Sequence, residues 1–188
     1  MPAAKVVIVT PAPPGSRAGN RKTAIRWAQF LRDFGCRVSV LTQWAGEPCD
    51  LLVALHARKS HDALRAFRES HLDRPAVLAL TGTDIYRDIR QDRDAAASLE
   101  MATRLIVLQK EALEELTPKQ RRKARVIHQS VTSSLVPVPP VRKFRLCVLG
   151  HLREEKDPFC AARALRWVPD SHVEIIQAGK ALSAQMTH

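Results

Sequence analysis

Short apolar runs alternate along the chain with longer segments in which apolar residues recur at helical spacing. The first run, Lys5 to Val9 ("KVVIV"), is β-branched and is followed by a loop with Pro and Gly, which is typical of a buried strand. Later runs predict further strands over 36–41, 51–55, 76–80, 104–108 and 124–128. Between them, the spacing predicts helices over 21–34, 61–70, 85–102 and 110–116. Because strands that alternate with helices form a parallel sheet, we expect residues 1–129 to be a doubly wound, Rossmann-like α/β domain.

The pattern changes after this domain. Residues 130–143 are rich in Ser, Val and Pro and have neither regular period, so they are interpreted as a linker. A new unit follows over 144–188, with a strand at "FRLCVLG", a helix that begins with Asp157 as N-cap and Pro158 at its first position, and a strand over 172–176. We expect this unit to be the start of a second Rossmann-like domain, incomplete at His188 because about 45 residues are too few for one.

The amino-acid composition is typical of a soluble, basic protein. Apolar residues make up 45% of the 188 residues and charged residues 26%, and 30 Lys and Arg against 19 Asp and Glu give a net charge of +11. Such a surface attracts anions, although a merely solvated basic surface stays an alternative. There is neither an apolar run of membrane-spanning length nor a signal-peptide pattern, so we expect a cytoplasmic protein that does not bind membranes. The four cysteines lack CxxC spacing, which favours buried reduced thiols and no metal site.

Candidate chemistry lies in the loops after the strands, because ligands of open α/β sheets bind at the carboxyl ends of strands. In the first loop, Gly15 and Gly19 allow close backbone approach, and Asn20 is expected to cap the next helix. Arg21 and Lys22 then oppose the helix dipole, which indicates either an anion site or two solvated cations.

Two further loops carry polar residues. "HARKS" supplies His56, Arg58 and Ser60. His56 is either a general base or a hydrogen-bond donor to a phosphate oxygen, or it is a structural histidine. "TGTD" ends in Asp84, which either orients a substrate hydroxyl or caps the following helix. In the second unit, "GHLREEKDPF" concentrates cations between a strand and a helix, which indicates a diphosphate site or an ordinary charged turn.

The motifs carry a resemblance to the GT-B glycosyltransferases of the family four type. "GHLREEKD" is similar to that family's G-R-L-x-x-E-K-G: Lys156 matches the Lys, whereas His151 stands at the Arg position and Asp157 at the last Gly. "LTGTD" resembles the family's H-G-T-D turn with Thr81 in place of His, and "VIHQSV" resembles the segment that leads to the interdomain crossing.

Within that family, the blocks "PPGSRAGNRKTAIRWAQFL", "LHARKS", "LTGTDIYRDI" and "GHLREEKDPF" together resemble the selenosugar synthases. The resemblance implies transfer of a sugar from a UDP-sugar to a small anionic acceptor, selenophosphate, with no cofactor. It implies catalytic roles for Asp84 and His56. The implied acceptor-binding residues are Gly19, Asn20, Arg21, Lys22, Thr23, Arg58, Ser60, Thr81 and Thr83. The implied donor-diphosphate residues are Gly15, His151, Arg153 and Lys156.

The family's acidic donor-binding segment would lie beyond His188, so we expect weak or absent transferase activity from these 188 residues alone. Two alternatives stay open. A basic nucleic-acid-binding module would account for the net charge, but aromatic residues make up only 5% of the chain and no stacking platform is visible. The other alternative is an inactive glycosyltransferase fragment.

Overall fold

The fold comes from a computed structural model that describes residues 3–131, 143–152, 156–168, 172–181 and 186. The chain divides into two compact units, Met1–Val131 and Thr132–His188. Most of the predicted linker, together with Arg153, lies outside the described residues. Among the helices of the described ranges, none has the length and apolar character needed to cross a membrane.

The first unit is built on a six-stranded sheet in which every strand pair is parallel. Its strands are β1 Lys5–Val9, β2 Arg37–Leu41, β3 Leu51–Leu55, β4 Ala76–Leu80, β5 Arg104–Val107 and β6 Ala124–Val126. Their order across the sheet is β2-β1-β3-β4-β5-β6. The prediction of a parallel α/β domain is therefore confirmed, and each predicted strand is present to within two residues at either end.

Helices connect these strands. They are α1 Gly19–Asp33, α2 His61–Ser70, a π-helix Asp84–Asp88 that continues into α3 Ile89–Gln91, α4 Arg93–Met101, a 3-10 helix Glu111–Glu115 and α5 Pro118–Lys123. Alternate residues of each strand face opposite sides of the sheet. Val6 and Ile8 pack with Ala24 and Ala28 of α1, whereas Val7 and Val9 belong to the core that contains α2 and α4. The helices thus cover both faces, as a doubly wound fold requires.

Two helix predictions for this unit are wrong in detail. The helix after β1 begins at Gly19 with Ala18 as N-cap, so Asn20 lies inside the first turn and caps nothing. The predicted helix over 85–102 is interrupted at Asp92, whose extended backbone ends α3 and whose carboxylate accepts the N–H of Ala95 at 2.8 Å to begin α4. A capping carboxylate inside an otherwise helical pattern breaks the helix because it offers the backbone a competing partner. Helix α5, with a capping box at Thr117, was not predicted.

The second unit contains a two-stranded parallel sheet of β7 Phe144–Leu149 and β8 Val173–Ala178, with α6 Cys160–Ala164 and a 3-10 helix Leu165–Trp167 between them. The prediction that Asp157 caps this helix is wrong. Asp157 has a positive φ of 40°, and its carboxylate binds the Arg163 guanidinium through two contacts of 2.6 Å, so it is not available as a cap. The helix begins instead at Cys160, after Phe159 as N-cap.

The cysteine prediction is confirmed in part. None of the four cysteines is in a disulfide, and Cys49 is buried. Cys36 is half-buried, whereas Cys147 and Cys160 are exposed, so the expectation that all four are buried is wrong. The two exposed thiols lie on β7 and α6, elements whose side chains are mostly solvent-accessible in the described part of the second unit.

The cap at Asp92 gives a test of the interrupted helix. Asp92→Ala removes the side-chain acceptor of the Ala95 N–H and should lower the free energy of unfolding by about 1 kcal/mol, whereas Asp92→Asn keeps an acceptor and should cost much less. Urea unfolding of both variants measures the difference. Equal losses for the two variants would show that the cap does not determine where α4 begins.

Candidate functional site

The strand order places a crevice at the carboxyl edge of the sheet, between β1 and β3. The chain leaves β1 toward β2 on one side and reaches β3 on the other side of β1. The helix after β1 packs on one face and the helix after β3 on the other, so the loops 10–18 and 56–60 diverge at this point. Ligands of doubly wound proteins bind at such topological switch points. The loops after β1, β3 and β4 that the sequence singled out therefore lie along one edge of the first unit.

Asp84 connects the loops after β3 and β4. Its side chain is fully buried, and Oδ1 accepts the N–H groups of Thr81 at 3.0 Å and Gly82 at 2.8 Å. Oδ2 accepts the N–H of Ala57, from the other loop, at 3.0 Å. A carboxylate with several backbone donors is a strong, charge-assisted anchor. Asp84 therefore holds both loops, while the prediction that it caps a helix is wrong because Thr83 occupies the N-cap. Its catalytic role stays a prediction.

His56 lies at the centre of the edge in a left-handed backbone conformation, with φ 78°. Its imidazole is buried, and Nδ1 accepts the backbone N–H of Lys59 at 3.5 Å while Nε2 lies 4.0 Å from Oδ2 of Asp88. Burial lowers the pKa of His56 below its ordinary value; Asp84 opposes this shift and Lys59 adds to it. His56 is thus a neutral imidazole near pH 7, and the contact to Nδ1 favours the tautomer with hydrogen on Nε2.

Asp88 was missed by the sequence analysis. It ends the π-helix, and its side chain is only 5% exposed. Oδ1 accepts from Nε of Arg87 at 3.1 Å, and Oδ2 lies 3.3 Å from Nε of Arg58. The sequence does hold a signal for it, since Asp84 and Asp88 are four residues apart directly after a buried strand, a spacing that places both on one side of a helical turn.

The start of α1 lies at the same edge of the sheet. No acidic residue is present in its first turn, and no described side chain caps it. Arg21 is half-buried, and its Nη1 is buried without a hydrogen-bond partner among the described residues. An uncapped helix N-terminus and a buried guanidinium N–H both lack acceptors, and an anion would supply them.

The remaining predicted binding residues of this unit, which are Gly15 for the donor diphosphate and the others for the acceptor, occupy three positions around this edge. Gly15, with φ 79°, lies in the loop after β1, and Gly19, Asn20, Lys22 and Thr23 lie in the first turns of α1. Ser60 is buried and donates its hydroxyl hydrogen to the Leu55 carbonyl at 2.7 Å, so that donor is occupied. Thr81 and Thr83 lie half-buried after β4.

A small apolar cleft of about 190 Å³ lies at the carboxyl ends of β4 and β5. Tyr86 and Gln109 are hydrogen-bonded to each other beside it. Its lining is Leu80, Gly82, Ile85, Tyr86, Leu108, Gln109 and Ala112. The cleft borders the Thr81–Asp84 turn but offers mostly carbon atoms, so it does not itself recognise an anion.

The second unit gathers part of the predicted diphosphate site after β7. His151 Nδ1 accepts the backbone N–H of Lys180 at 3.1 Å, and Nζ of Lys156 lies 3.6 Å from the position that a Cβ would take at Gly150. Gly179 approaches the Gly150 carbonyl so closely that an added Cβ would lie 1.9 Å from the oxygen, which only glycine allows. Arg153 lies outside the described residues.

Comparisons with known proteins leave the family unassigned. No protein-family model matches the sequence, and no curated protein matches it significantly. The glycosyltransferase resemblance therefore stays a prediction that rests on the motifs.

Neutralising Asp84 tests its role as the anchor of both loops. Asp84→Asn replaces one acceptor oxygen with an NH₂ group that confronts backbone donors, so the free energy of unfolding should fall by about 2 to 3 kcal/mol. Asp62→Asn, at a side chain that is 90% exposed, is the control and should change it by less than about 0.5 kcal/mol. Chemical denaturation measures both, and similar small losses would contradict the anchoring role.

The buried His56 predicts a pH dependence of stability. Its pKa in the folded protein is lowered, so on acidification below about pH 6.5 the unfolded chain takes up a proton that the folded chain does not. The stabilisation is present above the unfolded-state pKa and is lost as the pH falls toward the folded-state pKa, with a slope of at most about 1.4 kcal/mol per pH unit.

His56→Asn should remove this contribution, because Asn tolerates positive φ and does not titrate. Unfolding free energies at pH 7.5 and 5.5 measure the effect, and the loss on acidification should be smaller in the variant than in the wild type. The control His128→Asn removes an exposed imidazole. A pH dependence that is identical in wild type and His56→Asn would contradict the prediction.

Proposed function

We propose that this protein is a GT-B glycosyltransferase that moves a sugar from a UDP-sugar to a small anionic acceptor, with selenophosphate as the acceptor that the motifs favour. The observation that carries the proposal is the buried Nη1 of Arg21, which has no hydrogen-bond partner among the described residues, near the uncapped N-terminus of α1. Helix α1 follows β1, which is one of the two strands beside the switch point of the sheet, where doubly wound proteins bind ligands.

The energetics favour an anionic ligand at this position. A buried donor without an acceptor costs about 1 to 3 kcal/mol, and a guanidinium more, so the folded chain retains an unfavourable group that a ligand can satisfy. The dipole of α1 adds a second favourable term for a negative charge at its first turn. Arg21 and Lys22, which are unfavourable at an empty helix N-terminus, become favourable when a phosphate-like group binds there.

The chemistry of the acceptor explains which residues the site needs. In the transfer, the bond between the anomeric carbon and the UDP oxygen breaks, UDP leaves with the bonding electron pair, and selenium forms the new bond to carbon. Selenophosphate is already anionic at neutral pH, so it requires no base to deprotonate it. Cations that bind the acceptor suit this reaction. Arg58 is a candidate for this role, because it lies on the loop after β3, on the other side of the crevice from α1, and its side chain is 44% exposed.

The donor side of the proposal belongs to the second unit. By the resemblance, Lys156 and the residues after β7 hold the diphosphate, whose charge increases as UDP departs. Fixed cations and backbone N–H groups stabilise such a leaving group. Of the residues after β7, Lys156 has its Nζ 3.6 Å from the position of a Cβ at Gly150, and His151 follows Gly150 directly, which supports a shared role.

UDP release tests the function directly. Full-length protein with UDP-N-acetylglucosamine should release UDP when selenophosphate is added and much less when inorganic phosphate replaces it. No selenophosphate-dependent UDP release would overturn the assignment of the acceptor, and no release with any small anionic acceptor would overturn the transferase function.

Charge reversal then tests the acceptor site. Arg21→Glu with Lys22→Glu should lower kcat/KM for the acceptor by at least about 100-fold, because two charge-assisted contacts are replaced by repulsion. Arg65→Glu with Arg122→Glu is the matched control, since it makes the same change in net charge at exposed positions outside the crevice. Equal losses in the two double variants would indicate a general charge effect and would contradict a specific site.

A further inference from the structure

The carboxylate of Asp88 is buried without being fully satisfied. Its side chain is 5% exposed, and Oδ2 has no hydrogen-bond partner among the described residues although Nε of Arg58 lies 3.3 Å away and Nε2 of His56 lies 4.0 Å away. A buried acceptor that lacks a hydrogen bond is costly, and a functional role is one of the reasons for which native proteins retain such a group.

The two charged contacts of Asp88 differ in kind. Arg87 is its neighbour in sequence and donates Nε to Oδ1 at 3.1 Å. Arg58 comes from the loop after β3, the strand next to β4 in the sheet. Its Nε lies 3.3 Å from Oδ2, and its side chain is 44% exposed. A guanidinium that is held at Nε still has two terminal nitrogens with four N–H donors, in a planar arrangement that matches a phosphate-like anion.

We propose that Asp88 is a positioning residue of the acceptor site: its carboxylate holds the Nε edge of Arg58, beside the Nε2 of His56, so that the terminal nitrogens of Arg58 bind the acceptor anion. This inference rests on the proposed function for the identity of the ligand, but not for the contact between Asp88 and Arg58. The contact is an ion pair with 3.3 Å between Nε and Oδ2, although its geometry falls short of a hydrogen bond.

The direction in which Asp88→Asn changes the affinity for anions distinguishes a positioning role of Asp88 from a purely electrostatic one. If Asp88 only contributes a negative charge, Asp88→Asn removes repulsion and should tighten anion binding. If Asp88 positions Arg58, the neutral amide holds the guanidinium less firmly and binding should weaken, because charge-assisted hydrogen bonds are about twice as strong as neutral ones. We expect weakening by about fivefold for thiophosphate, used as a stable probe of the acceptor.

The experiment uses the 188-residue chain with two readouts. Titration calorimetry gives the thiophosphate affinity of the wild type, of Asp88→Asn and of the control Asp62→Asn, whose carboxylate is exposed and pairs with Arg65. NMR detection of the Arg58 Nε–H reports, without any ligand, whether the guanidinium is held. Its exchange with water should be slow in the wild type and in Asp62→Asn and at least tenfold faster in Asp88→Asn.

Arg58→Lys gives a second variant at an exposed side chain, in case Asp88→Asn is poorly folded. Lysine keeps the charge but has no Nε edge, so Arg58→Lys should weaken binding as much as Asp88→Asn does, and the double variant should weaken it no further. Additive losses, unchanged Nε–H exchange or tighter binding by Asp88→Asn would each overturn the inference. If Nε–H exchange responds as expected but the wild type binds no thiophosphate, the contact stands and the acceptor role in both proposals fails.

Discussion

The carboxylate of Asp84 determines the shape of the carboxyl edge of the sheet. It is the point at which the chain after β3 and the chain after β4 are joined, because it accepts backbone donors from both. Parallel strands end at the same edge of a sheet, but nothing in the sheet itself fixes how the chain leaves each strand. A buried anion with three backbone N–H partners does fix it, since releasing any one of them leaves a buried charge less well compensated.

The left-handed backbone of His56 follows from that constraint. The N–H of His56 still continues the sheet by donating to the Ala79 carbonyl at 2.9 Å, whereas the N–H of the next residue, Ala57, must point at Asp84. The chain has to turn within one residue, and a positive φ at His56 makes this turn. A non-glycine residue in that conformation is strained, and strain of this kind persists where the surroundings impose it. The imidazole is thereby buried beside Asp88, where burial keeps it neutral.

The sequence predicted the fold well because its strand signals are local. Residues 51–55 and 76–80 are apolar runs bounded by polar residues or proline, and both are strands in the structure at the predicted positions. The helix boundaries were less predictable, since Ala18 instead of Asn20 precedes α1 and Asp92 interrupts a periodic segment. For the candidate site, the strand ends were enough to predict which loops carry it. They were not enough to predict which groups Asp84 and Asp88 contact. Those contacts join residues 27 and 30 positions apart, and no local pattern encodes them.

The two unsatisfied buried atoms of the described residues have opposite character. Arg21 Nη1 is a donor on the α1 side of the switch point, and Asp88 Oδ2 is an acceptor beside the loop after β3. In a domain with only a structural role, each of these two atoms would lower the free energy of unfolding by about 1 to 3 kcal/mol. Replacement of the two side chains by apolar residues would then often be neutral or stabilising. Under the proposed function, a ligand with several negatively charged oxygens would satisfy the donor directly. It would also draw in the terminal nitrogens of Arg58 and thereby tighten the contact of that guanidinium with Asp88. An anionic ligand at the switch point would thus offset both costs at once.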